Sequence, residues 1–112
     1  MAPPSPLAIA TGSVQRLVKE EASYHKELTS QEARLEKLLA STEEDENREY
    51  SLKQERAAIA ETKAVFPPLR QRIADALAKL EDQLESAQGS GASEEEIAKA
   101  TEAVKQAKAV GA

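Results

Sequence analysis

Residues 52–84 read LKQERAAIAETKAVFPPLRQRIADALAKLEDQL, and this stretch decides the fold. Leu52, Ile59, Phe66, Ile73 and Leu80 recur at intervals of seven, the period at which a helix turns one apolar seam toward a neighbour. Leu69, Ala76, Leu77 and Leu84 fill out the same face. The period runs through Pro67-Pro68 without a change of phase. A proline inside a helix removes a backbone donor and crowds the preceding turn, at a cost of ~3 kcal/mol or more. Either two nearly collinear helices meet here, one of the prolines opening the second, or one long helix is kinked. A loop would usually reset the phase, so the unbroken repeat favours one helix over about 46–87, kinked at Phe66, Pro67 and Pro68.

Upstream, Ser41–Asn47 carries no seam residue and contains Glu43-Glu44-Asp45-Glu46. It reads as a turn whose acidic side chains suit the helix start that follows. Before it, Val14, Leu17, Glu21, Tyr24, Leu28, Gln31, Leu35 and Leu38 alternate spacings of three and four, with polar interruptions at Glu21 and Gln31. That pattern predicts a first helix over about 13–40, with Thr11-Gly12-Ser13 offering capping hydroxyls. Residues 1–10 hold three prolines and read as a disordered tail. Downstream, Gln88-Gly-Ser-Gly-Ala92 ends the second segment. Ser93-Glu-Glu-Glu96 then reads as a capping box for a third helix over about 94–109, its apolar side made of Ile97, Ala100, Val104 and Ala107. The expected fold is all-α, an antiparallel three-helix bundle over residues 11–110 with a proline-kinked second helix. Its weakest docking falls on the alanine-rich third helix.

Composition agrees with a thin core. The 112 residues are 31% charged and 3% aromatic, and much of the 40% hydrophobic content is alanine. Alanine favours helix but buries little area. A net charge of −5 argues against general nucleic-acid binding. There is no cysteine, hence no disulfide or thiol chemistry. No run approaches the ~20 apolar residues that span a bilayer, and the first residues lack a signal-peptide pattern, so a cytoplasmic protein is expected. His25 is the only histidine and has no cysteine or second histidine to join it in a metal site. No serine has a base in a recognisable arrangement, and no glycine-rich phosphate loop exists. The expected role is therefore binding, with no catalysis, metal or cofactor.

Certain residues are more specific than the seam. Thr11, Val14, Arg16, Leu17, Lys19, Glu20, Tyr24, Lys26 and Glu27 give T-x-x-V-x-R-L-x-K-E-x-x-x-Y-x-K-E. The second segment gives Tyr50-x-Leu52-Lys53-Gln54, Ile59-x-Glu61-Thr62, Val65-Phe66-Pro67 and Arg72-Ile73. This ordered set, over roughly residues 9–85, resembles the tubulin-binding cofactor A family, with the proline in register. Ala64-Val65 stands where the family has a methionine pair, and Pro68 is an additional proline.

The resemblance implies a three-helix bundle that captures β-tubulin folding intermediates. It would hold them for downstream tubulin-folding cofactors, which assemble the α/β heterodimer. It also implies a cytoskeleton-associated chaperone, monomeric or homodimeric, without nucleotide hydrolysis. A bundle that uses up its own seam must meet its client through its outer face and the aliphatic stems of long side chains. Off-seam charges therefore become the candidate β-tubulin contacts: Arg16, Lys19, Glu20 and Lys26 on the first helix, and Lys53, Glu61, Arg70 and Arg72 flanking the bend. The competing expectation is a coiled-coil or spectrin-like interaction scaffold, although such repeats usually place a tryptophan in the first helix and this chain has none.

Overall fold

The computed structural model describes residues 4–41, 46–88 and 91–110. Three helices make up the fold, α1 (Pro6–Ala40), α2 (Arg48–Gln88) and α3 (Glu94–Ala109). Among the described residues there is no strand.

α1 starts at Pro6, earlier than the sequence pattern predicts, so residues 6–10 of the expected tail are helix, while residues 1–3 of it lie outside the described residues. Pro6 opens the helix, where its missing N–H costs nothing and its fixed φ is already helical. Ser5 caps it: the Ala8 N–H donates to Ser5 Oγ at 3.1 Å and the Ile9 N–H to the Ser5 carbonyl at 3.0 Å. Leu7 is 3% exposed, which ties this first turn to the core. Thr11 is an interior helix residue, its Oγ1 donating to the Leu7 carbonyl at 2.8 Å.

α2 continues as helix through Pro67 and Pro68. Neither proline can donate, so the carbonyls of Lys63 and Ala64 lose their helical partners. Both prolines and both of those residues are exposed, which leaves the carbonyls to water, while Phe66 and Leu69 on either side are buried. The doublet is tolerated because it faces outward. The acidic residues Glu43–Asp45 of the expected turn lie outside the described residues.

The chain forms two compact units. One comprises the described residues up to Glu21 with those from Pro68 onward, and therefore contains α3. Its core is Leu7, Thr11 and Val14 from α1, Leu69, Ile73 and Leu80 from α2, and Ala100, Ala103 and Ala107 from α3. Val14, Leu69 and Leu80 are fully buried. Lys108 and Glu81 form an exposed ion pair at 3.7 Å. Ser93 caps α3, its Oγ accepting the Glu96 N–H at 3.1 Å. The Glu96 carboxylate, expected to complete the capping box, instead accepts the Ser5 hydroxyl at 2.9 Å.

The other unit runs from Ala22 to Pro67 and holds parts of α1 and α2 only. Its most buried side chains, Ile59, Thr62, Phe66 and Gln31, keep 6–8% exposure. Leu28, Leu35, Leu38 and Leu52 are only half-buried. Two helices without a third cannot enclose a seam. Phe66 is the anchor, with the Tyr24 ring edge-on at 6.5 Å and the exposed His25 ring tilted over it at 4.5 Å.

Candidate functional site

The structure leaves most of the eight candidate contact residues exposed, with Glu20 half-buried. In the two-helix unit, Lys53 and Glu61 line a shallow groove with Tyr50, Gln54, Ala57 and Ala58. Lys26 lies in a separate depression with His25, Thr29, Ser30 and Ala33. In the three-helix unit, Arg72 borders a groove with Ile9, Leu17, Asp75, Ala76 and Lys79. Arg16 and Lys19 are exposed on α1 of the same unit.

Arg70 differs from the others. Its Nε lies 3.5 Å from the Glu21 Oε2, and that carboxylate belongs to a side chain only 7% exposed, against 47% for Arg70. Glu21 interrupts the α1 seam, so an acid is carried into the core and must meet a cation or hydrogen-bond donors there. Arg70 therefore has an internal task.

The candidate contacts drawn from the sequence are all charged and leave out the apolar part of the surface, although Tyr50 reads from its phase as either a core anchor or a partner anchor. Tyr50 is 63% exposed, Ile9 57% and Leu39 48%. Tyr50 sits just off the seam phase, and its hydroxyl accepts the Gln54 Nε2 amide at 2.7 Å. Arg48 donates to the Leu39 carbonyl at 3.2 Å, satisfying one carbonyl at the end of α1. Ile9 was hidden within the supposed tail. The premise of a fully consumed seam holds in neither unit, since the seam residue Leu17 is half-buried beside an open groove and the leucines of the two-helix unit are half-exposed. The grooves combine apolar and charged side chains.

Among the described residues no group of three or more acidic or histidine side chains could hold a metal ion. Nor is any of their helices long and apolar enough to cross a membrane.

Comparison with known proteins gives one answer. Residues 2–104 match the family model for tubulin binding cofactor A. The tubulin-specific chaperone A of Oryctolagus cuniculus is 38% identical over 80 residues, covering 71% of this chain and 70% of that protein. That of Saccharomyces cerevisiae is 35% identical over 86 residues, covering 77% and 78%. The crystal structure of tubulin folding cofactor A from Arabidopsis thaliana superposes with a TM-score of 0.77 at 27% identity, over 92% of each chain. A match over nearly the whole chain, relatives above one-third identity and the same three-helix fold place this chain in the tubulin binding cofactor A family.

Proposed function

We propose that this protein is a tubulin-folding chaperone that captures β-tubulin and holds it, without catalysis, for the cofactors that complete the α/β heterodimer. The observation that carries the reading is the family match over residues 2–104, joined by relatives named tubulin-specific chaperone A. A cytoplasmic, cytoskeleton-associated protein follows from that role. The bundle is read as antiparallel, supported within the three-helix unit by two contacts along each neighbouring pair: Glu21 meets Arg70 while Pro6 shares a groove with Gln83, and Lys108 meets Glu81 while Ser93 shares a cleft with Ala87. The prolines at 67 and 68 are read as bending α2.

The client contacts are assigned to exposed charge beside exposed apolar surface. Arg16, Lys19, Glu20 and Lys26 serve on α1; Lys53 and Glu61, beside Tyr50, serve on α2, with Arg72 beside Ile9 and Leu17. Arg70 keeps a place in this set through its exposed half. Amphipathic grooves of this kind bind through an aromatic or aliphatic anchor with charge at the rim.

Size-exclusion chromatography with unfolded α-tubulin and β-tubulin offered separately tests the reading. A complex with β-tubulin alone supports it, and indifference to both favours an interaction scaffold. Reversing charge at Lys19 and Lys26 together should weaken the β-tubulin complex with helicity unchanged. Unaltered binding would remove those two residues from the contact set.

A further inference from the structure

Ser5 precedes Pro6, and no other serine or threonine of the chain is followed by proline. A proline at that position has no N–H to satisfy, which suits protein kinases whose substrate groove offers it no acceptor. Pro4 and Pro6 are exposed and Ser5 is half-buried. The Ser5 hydroxyl joins two elements. It accepts the Ala8 N–H at 3.1 Å, capping α1, and donates to the Glu96 Oε2 at 2.9 Å, in the first turn of α3. Among the described residues lining the cleft around it, Glu96 alone is charged.

We propose that Ser5 is the phosphorylation site of a proline-directed protein kinase, and that its phosphate releases the start of α3 from the start of α1. In the transfer, Ser5 Oγ forms a bond to the γ-phosphorus of ATP as the bond from that phosphorus to the β–γ bridging oxygen breaks. ADP leaves, and the hydroxyl proton passes to the kinase's base and then to solvent. The modified oxygen no longer donates to Glu96, and a phosphate carrying close to two negative charges faces that carboxylate instead. Glu94 adds to the repulsion from the same turn, while the charge of Glu95 is offset by its pair with Lys99 at 3.3 Å.

The two helices respond differently. A phosphate at the N-terminus of α1 is favoured by the free N–H groups and the helix dipole there. α3 starts with three glutamates and is held by the small side chains Ala100, Ala103 and Ala107, with the exposed Lys108–Glu81 pair contributing little. So α3 yields and α1 holds.

The test treats the full chain with ATP, magnesium and a proline-directed kinase, maps phosphate by tandem mass spectrometry, and follows amide hydrogen exchange. Phosphate is expected on Ser5 in the wild type and absent from Ser5→Ala. Exchange across residues 94–109 should rise about tenfold or more on phosphorylation, while α1 amides up to Glu21 change by less than about twofold. Unmodified Ser5→Ala should keep α3 within about threefold of wild type, separating the lost hydrogen bond from the added charge. Phosphorylated Glu96→Gln should recover most of the α3 protection. No phosphate on Ser5, α3 exchange unchanged by it, or equal release in Glu96→Gln would each overturn the proposal.

Discussion

Replacing Arg70 with alanine separates the two tasks given to that residue. At 3.5 Å from Glu21, an effective dielectric between about 20 and 80 gives a gross attraction of about 1–5 kcal/mol. The half-exposed guanidinium is screened by water, so the lower part of that range applies, and desolvation of Glu21 offsets part of it. A net coupling of about 1–2 kcal/mol remains. Arg70→Ala should therefore cost about 1–2 kcal/mol in urea unfolding followed by far-UV circular dichroism. Glu21→Leu restores an apolar residue to the seam and should be neutral or stabilising by about 1 kcal/mol. In that background Arg70→Ala should cost almost nothing. The four proteins make a double-mutant cycle, and the coupling is what it measures. If Arg70→Ala costs the same with leucine at 21 as with glutamate, the ion pair with Glu21 is not what Arg70 contributes to stability. Measured on the same proteins, β-tubulin affinity tells whether the exposed half of Arg70 also meets the client.

Leu80 is fully buried in the three-helix unit, and Leu80→Ala should lower stability by about 3 kcal/mol, read as a drop in the urea midpoint. Gly12 lies inside α1, and nothing beyond the local helix backbone comes within 4 Å of where a Cβ would stand. Gly12→Ala should therefore raise stability by about 0.5–1 kcal/mol in the same assay. Gly91 has φ +80°, and Gly91→Ala should lower it by about 1 kcal/mol because that left-handed conformation strains a side chain. Replacing Pro67 and Pro68 together with alanine should restore two helix hydrogen bonds and raise the thermal midpoint; a lower midpoint would show that the rings contribute packing instead. Small-angle scattering of that variant tests the bend proposed for the prolines: a changed profile supports it, and an unchanged one would remove the prolines as its cause.

The seam was legible because burial leaves a period. Ile59, Phe66, Ile73 and Leu80 are all buried, and Leu52, at the end of the series, is half-buried. The third helix was legible from its cap, and its range of 94–109 is the one observed. The start of α1 was misread because three prolines suggest disorder, although Ser5-Pro6 carries the cap and first-position signature of a helix. Glu21 appeared only as an interruption: its partner Arg70 is 49 residues away, and no local pattern announces a distant pair. The contact surface was the least legible. Solvated and partner-binding charges obey the same spacing, and the exposure of Tyr50, Ile9 and Leu39 follows from where a third helix is lacking or a groove is left open.

Helix order propagates because each new hydrogen bond fixes one residue against a turn already formed. In α2 that succession skips two consecutive steps, at Pro67 and Pro68. The doublet thus acts as a perforation in a 41-residue helix. Fraying that begins at either end has a natural place to stop, and a segment drawn open by a partner need not drag the other half with it.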